Sequence, residues 1–381
     1  MESNNNFEEK LYKYFRENRE VPEYIKETIN NTNLRKNKSN AINNIRKVAI
    51  AGISLVTLST GFVFADDIVK FVSTLFSSSE GVNTAIENGY IYQNQDIQSY
   101  RSSNTETHIQ DIVMDDYTLD LNVFMEFDEN IDLTGIDKYK MPDLLITDDM
   151  NNILYSADNE VTKDFCNNNG IEYKYNIAIN TSSSIFIANA DKNYATVQFN
   201  LSASDEKFPK SKKIYISFKT IEMTGNNKDY TVTGEWKNEI DIPDKFVNRE
   251  SRLYKVVNCN NENVYEDSII AEVYETGMKF EMSMYWGDYE SEHKRMEEMR
   301  KVNVLSSQLI RQEESYVEND KGERFYPSQS SESDGGYSFN TDGKLHKWET
   351  FNLTKFNATE KLKVVLTTID NEQIIINLQS K

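Results

Sequence analysis

The sequence predicts a mainly β protein: two antiparallel β-sandwiches of the Ig-like kind, preceded by short N-terminal helices and one transmembrane helix. Three observations carry this. Apolar and polar residues alternate with period 2 in four separate stretches beyond residue 117. The 22 Tyr and 19 Phe give an aromatic content that suits pleated strands and argues against disorder. One run of 18 uncharged residues interrupts a chain in which 27% of residues are charged.

Residues 1–47 read as a helical cytoplasmic segment. Asn4 to Asn6 offer N-caps for FEEKLYKYFREN, in which Phe7, Leu11, Tyr14 and Phe15 form one apolar stripe. Pro22 sits at a first helical position and sets Val21, Ile25 and Ile29 on a second face. Two such short helices bury their stripes poorly against each other, so Phe7, Leu11, Phe15, Val21, Ile25 and Ile29 are candidate anchors for a partner's groove. The competing reading is a marginal tail whose cations only orient the membrane segment.

Residues 48–65 (VAIAGISLVTLSTGFVFA) come after Arg46-Lys47 and precede Asp66-Asp67. As a helix they span roughly 27 Å, close to the thickness of a hydrocarbon core. Val48, Ile50, Ile53, Leu55, Leu58, Phe62 and Phe64 would face lipid. Five cations and no acid lie between Arg35 and Lys47, which sets the N-terminus in the cytoplasm by the positive-inside rule. A buried helix of a soluble protein is one alternative. A signal peptide cleaved near Val63-Phe64-Ala65 is another, although its leading region would be 47 residues long.

Residues 66–89 form a juxtamembrane helix and linker: Ile68, Val72, Leu75 and Phe76 share a face, and SSSEG at 77–81 breaks it. The first sandwich is predicted over 90–249. Its strands include Leu119, Leu121, Val123, Met125 and Phe127; then Ala195, Val197, Phe199 and Leu201; then Ile214, Ile216 and Phe218. Asp115-Asp116, Asp148-Asp149 and Asn226-Asn227 supply turns. The second sandwich is predicted over 250–381, with Met278, Phe280, Met282, Met284 and Trp286 on one strand face and turns at Asp320-Lys321-Gly322 and Asp370-Asn371. SEHKRMEEMRKV reads as a helical insertion whose His293 is solvated.

Charge divides along the same line. Ten basic groups against seven acids leave +3 on residues 1–47, so a net charge of -20 leaves -23 on the rest. Such acidity argues against a nucleic-acid surface. Three His and two Cys leave little for zinc or imidazole chemistry, and no disulfide framework. Cys166 and Cys259 fall in different predicted sandwiches, as a pair or as two free thiols. No GxSxG, HExxH, P-loop or GxGxxG motif occurs, and the sequence offers no nucleophile–base–orienter set. Asp128, Asn130 and Asp132 imitate the start of a calcium loop, but Leu133 stands where Gly is needed and Tyr139 where the bidentate Glu belongs. No cofactor and no metal site is expected.

Several segments together resemble a family: VPEYIKETINN (21–31), the basic stretch into the uncharged run, GFVFADDIVKFVSTLF (61–76), GVNTAIENGYIYQ (81–93), HIQDIVMDDYTLDLNVFMEF (108–127), TGEWKNEIDIP (233–243) and VENDKGERFYP (317–327). The order of parts resembles the single-pass, anti-sigma-factor-like proteins of Gram-positive bacteria, whose ectodomains were catalogued as domains of unknown function. The resemblance implies a non-enzymatic negative regulator of an extracytoplasmic-function sigma factor. Its N-terminal helices would occlude that factor, with an exported sensing region outside and release through cleavage near the anchor. Only the region 7–29 carries over, and the Asn-rich segment 30–44 departs from the pattern. The expected partners are a sigma factor and the membrane, with an envelope ligand or a protease outside. The alternative is a cell-surface binding or structural protein with no transcriptional role.

Overall fold

The computed structural model describes residues 79–94, 99–103, 105–189, 193–203, 206–225, 228–302, 310–328 and 335–381. The six docking candidates (Phe7 to Ile29), the seven lipid-facing candidates (Val48 to Phe64) and the stretch 66–76 lie outside the described residues. Among the described residues no helix is long and apolar enough to cross a membrane.

The chain opens with α1 (Glu80–Glu87), followed by β1 (Tyr92–Gln93), β2 (Tyr100–Ser102), β3 (Thr105–Met114), β4 (Thr118–Phe127), β5 (Lys138–Lys140), β6 (Leu145–Asp148) and β7 (Ile153–Ser156). Next come α2 (Asn159–Asn169), β8 (Ala178–Asn189), β9 (Tyr194–Ala203), β10 (Lys213–Gly225), β11 (Lys228–Asp241) and α3 (Asp244–Val247). The remainder is β12 (Arg252–Cys259), β13 (Ile270–Val273), β14 (Met278–Tyr285), α4 (Tyr289–Val302), β15 (Ile310–Asn319) and β16 (Arg324–Phe325). It ends with β17 (Gly335–Phe339), β18 (Lys344–Phe351), β19 (Lys361–Thr368) and β20 (Gln373–Ser380).

The fold is mainly β and consists of several antiparallel sheets. One is ordered β1-β3-β4-β9-β8 with β2 on β3; a second is ordered β11-β10-β6-β7 with β5 on β10. Their inner faces share one core, in which Leu121, Val123, Val197 and Phe199 meet Ile214, Ile216, Phe218 and Trp236. Sheet-on-sheet packing of this kind is sandwich-like. Trp236 is fully buried, stacks on Phe218 at 5.1 Å and donates its indole N–H to the Thr105 carbonyl at 3.0 Å across the sheets. Beside it, Asn238 Nδ2 donates to Thr107 Oγ1 at 2.9 Å, so buried polar atoms also tie the two layers.

The third sheet runs along the path β16-β15-β19-β20-β12-β13-β14-β18-β17. Strand β12 is its joint. Arg252 and Leu253 pair with β13, while Tyr254 onward pairs with β20. The two halves thereby face each other, and Met278, Phe280 and Met282 pack with Val364, Leu366 and Ile376. The expected Met stripe is core.

Period-2 alternation places these strands well, with one difference. Strands β4 and β9 are buried on both faces: Asp120, Asn122 and Phe124, and Thr196, Gln198 and Asn200, are nearly as inaccessible as the core residues between them. The expected half-solvated face is therefore closed, and α1 accounts for part of it. Ile86 and Ile91 line a small cavity over Asp111, Asp120 and Asn122. Helix α1 itself starts inside the SSSEG stretch expected to break helical structure. Ser79 is its N-cap, with Oγ accepting from the Val82 amide at 3.0 Å, and Glu80 favours the positive helix end. Helix α2 also escapes apolar periodicity; Asp158 caps it and Gly170 ends it in the left-handed region. Strand β11 ends at Asp241, and the chain turns at Pro243 into α3. Both thiols are free, Cys166 buried beside Leu145 and Ile153, and Cys259 half-buried.

Candidate functional site

The β3–β4 hairpin turn carries Asp115-Asp116-Tyr117 into the place where the third sheet meets the first. Asp115 Oδ1 accepts the Tyr117 and Thr118 amides, each at 2.9 Å, which is what makes this acid a turn former. Its Oδ2 reaches across to the β13–β14 turn and accepts the Thr276 amide at 3.0 Å together with the Thr276 hydroxyl. Burial pushes the Asp115 carboxyl up, and the hydrogen bonds from Thr276, Tyr117 and Thr118 oppose it. The same turn residue thus closes its own hairpin and grips a second one 161 positions away.

Asp116 does a parallel job. Arg249 Nε donates to its Oδ1 at 2.7 Å, and the guanidinium also donates to the carbonyls of Phe246, Phe208 and Pro209. A side chain with this many fixed acceptors is held in one geometry. Lys207 lies 3.4 Å from Asp116 Oδ2 and 2.6 Å from Glu272 Oε1 of β13. Burial pushes the Glu272 carboxyl up, but hydrogen bonds from Lys207 and Ser251 outweigh it and hold it below the usual range. Above these charges Tyr117 and Tyr274 meet edge to face at 5.1 Å. The Lys279 ammonium sits 4.1 Å from the Tyr117 ring centroid, a cation–π contact. Lys355 Nζ completes the ring of contacts, 2.9 Å from Glu275 and donating to the Glu250 carbonyl.

Helix α1 is wedged into the same junction. Its Gly81 amide donates to Asn352 Oδ1 at 3.3 Å, and a Cβ on Gly81 would lie 1.9 Å from the Thr276 carbonyl oxygen. Only glycine permits that approach. Val82, Ala85 and Ile86 meanwhile belong to the core of the first two sheets. Between α1 and the two hairpin turns lies a cleft of about 70 Å3, lined by Asp115, Tyr117, Asp120, Tyr274, Lys279 and Asn352 among others. Its walls combine aromatic faces, both signs of charge and amides, which suits a small polar ligand more than an apolar one.

The sequence reads Asp115-Asp116 as a hairpin turn, and it is one. What local pattern does not reveal is its second role at the junction, because Thr276, Arg249, Lys207 and Tyr274 are brought in by tertiary packing. Two residues of the calcium-like triplet are paired within the protein: Asp128 lies 3.3 Å from Arg101 and Asp132 pairs with Lys228, while Leu133, at the position that needs Gly, is fully buried. Among the described residues no group of three or more His, Cys, Asp or Glu is arranged to hold a metal. The register of β14 on β18 does assemble one set that no motif announces. Ser283 Oγ lies 3.1 Å from His346 Nδ1, and His346 Nε2 lies 4.0 Å from Glu281. The last separation is too long for a hydrogen bond, and the Ser283 amide already donates to Ser268 Oγ at 2.8 Å, so it is not available to an oxyanion.

No family model matches the chain, and no curated protein matches it. Among solved structures, it is similar to the crystal structure of the conserved domain protein from Bacillus anthracis at 13% identity and a TM-score of 0.39, over 77% of this chain and 90% of that one. It is also similar to the Streptococcus agalactiae AgI/II polypeptide BspA C-terminal domain at 8% identity and a TM-score of 0.13, over 71% of this chain and 94% of that one. At these TM-scores neither bears on what this chain does.

Proposed function

We propose that this chain is a single-pass membrane protein that restrains an extracytoplasmic-function sigma factor on the cytoplasmic side and senses the envelope through its β-rich part. The observation that carries the reading is the charge step: +3 over residues 1–47, 18 uncharged residues, then -23 over everything beyond. A cationic flank on one side only is the arrangement that orients an anchor. In this reading Phe7, Leu11, Phe15, Val21, Ile25 and Ile29 dock on the sigma factor. The exported part forms two sandwich units, 90–249 and 250–381.

The junction supports the sensing half of the proposal. Helix α1 begins 15 residues after the end of the uncharged run and is held by Thr276 and Asn352 on one side and by the first core on the other. A ligand that prised the two hairpin turns apart would also release α1, the element nearest the anchor in sequence. A change of a few ångströms at the cleft would thereby be passed to α1.

The test is co-purification of the full chain, in detergent, with the host's extracytoplasmic-function sigma factors expressed one at a time. The proposal expects one of them to be retained, and to be lost when Phe7, Leu11 and Phe15 are changed together to Ala. Retention of none, with the chain correctly inserted, would favour a cell-surface binding protein whose N-terminus is only an anchor.

A further inference from the structure

The outer face of the first sheet carries a second buried polar array that the junction does not use. A bulge in β3 between Ile109 and Asp111 turns Asp111 away from the core, so that Asp111 stands opposite Asn122 and Asn122 opposite Gln198. In the adjacent row Asp120 stands opposite Val113 and Asn200. Directly opposed residues have Cβ atoms about 4.5–5.5 Å apart, so two carboxylates and two amides converge over one square of the sheet. A cavity of about 10 Å3 lies there, with Asp111, Asp120, Asn122 and Gln198 on its polar walls and Ile86 and Ile91 closing it. That is room for one water or one ion.

Two features say that the array is incomplete as it stands. Asn122 Nδ2 donates to Asp111 Oδ2 at 3.0 Å, and this fixes the amide, because the flipped orientation would set two oxygens against each other. Asn122 Oδ1 is left buried with no hydrogen-bond partner, in a side chain that is itself 8% exposed and lines the cavity. Asp111 is 4% exposed, and its carboxylate accepts from the Asn122 amide inside this closed face. Lys207 and Arg249 pair with Asp116 rather than with Asp111. A buried carboxylate beside an unpartnered amide oxygen presents oxygen donors and surplus negative charge, the environment of a hard cation.

We propose that Asp111, Asp120, Asn122 and Gln198 bind one divalent cation of the calcium class between β3, β4 and β9, the two carboxylates and two amide oxygens supplying its protein ligands. Calcium accepts irregular oxygen sets of this kind, whereas magnesium demands near-octahedral geometry and keeps its water. With two carboxylates the site falls in the weak range, roughly 10⁻⁴–10⁻³ M, that serves modules facing a calcium-rich medium. A cation there neutralises Asp111, gives Asn122 Oδ1 its partner and fastens β3, β4 and β9 beneath Ile86 of α1.

Calcium chloride titrated into the full chain in detergent, followed by calorimetry and by tyrosine-sensitised terbium luminescence, tests this. The wild type takes up one ion with a dissociation constant in that range, and magnesium competes poorly. Asp111→Asn weakens calcium binding about tenfold or more with an unchanged circular-dichroism spectrum, while Asp132→Asn in the calcium-like loop binds as the wild type does. If Asp111→Asn misfolds, Asn122→Asp provides the second arm. A third carboxylate tightens binding and enlarges the calcium-dependent rise in melting temperature. Absence of binding by folded wild type up to about 10 mM calcium, tenfold above the expected range, overturns the proposal. So does unchanged affinity in a folded Asp111→Asn, unchanged or weaker affinity in Asn122→Asp, or loss of binding in Asp132→Asn.

Discussion

Arg249 and Asp116 form a buried ion pair, Nε to Oδ1 at 2.7 Å, with the arginine side chain 1% exposed. The pair joins the β3–β4 turn to α3 and to the loop at 206–209, next to the point where the third sheet begins. Breaking it by Arg249→Ala leaves Asp116 with only the more distant Lys207 and strips three carbonyls of their donor. A loss of about 3–5 kcal/mol is expected, the usual cost of removing one member of a buried pair. Urea denaturation monitored by tryptophan fluorescence reads it. A loss below about 1 kcal/mol, the worth of an exposed pair, would mean that water enters the junction freely.

Gly81 gives a second test of the junction. Alanine there places a Cβ 1.9 Å from the Thr276 carbonyl, so backbone must move, and overpacking of this kind costs about 1–3 kcal/mol. Gly89→Ala meets no neighbouring atom but has φ +79, and costs about 1 kcal/mol through strain alone. Limited proteolysis separates them: Gly81→Ala opens new cleavage near residues 274–277, whereas Gly89→Ala does not.

A third prediction concerns the interior of the nine-stranded sheet. Lys347 and Glu349, on the inward face of β18, are both almost completely buried and lie 2.6 Å apart, and Gln312 donates to the other Glu349 oxygen. Lys347→Met removes the ammonium that neutralises this buried carboxylate and costs about 3–5 kcal/mol. The double variant Lys347→Met with Glu349→Gln recovers most of that loss, since what is expensive is the unmatched charge rather than the absence of the pair. Equal destabilisation by the single and the double variant would contradict this.

The pH dependence of stability carries two opposing contributions from the first sheet. His108, packed on Phe124 at 4.8 Å between ring centres, has its pKa lowered to about 4 by burial. The folded state therefore keeps it neutral while the unfolded chain takes up a proton from about pH 6.5 downward. Stability is lost between about pH 6.5 and 4, by up to about 3 kcal/mol at 1.36 kcal/mol per unit. Asp111 acts in the other sense: with its carboxyl raised to about 6, the folded state takes up a proton first, and stability is gained as pH falls from about 6 toward 4. Relative to wild type, His108→Phe should lose less stability between about pH 7.5 and 4.5, and Asp111→Asn should lose more. Parallel pH profiles for all three proteins would refute the assignment.

Much of the fold was legible because its strands obey period 2: the alternation of Leu119 to Phe127 and of Met278 to Met284 marks the inward faces correctly. Asp115-Asp116 and Asp370-Asn371 mark turns for the local reason that their side chains and left-handed tolerance favour them, and Asn371 does have φ +64. Other features were invisible for physical reasons. Helix α1 comes after a serine run that resembles a linker, and its stability comes from Ser79 capping and from Val82 and Ile86 entering a distant core. The closed outer face of β4 could not be read from Asp120 and Asn122, because polar residues in alternation ordinarily face water. The junction is made by residues such as Asp115 and Thr276, far apart in sequence and ordinary in isolation, so no motif could have announced it.

Negative control of a sigma factor from the cytoplasmic end is read out by transcription from that factor's own promoter in living cells. Deleting the chain should raise reporter output severalfold. Full-length protein should restore repression, and the version with Phe7, Leu11 and Phe15 changed to Ala, inserted at equal level, should not. Reporter output that stays the same after deletion, for every extracytoplasmic-function sigma factor of the host, would rule out the regulatory role.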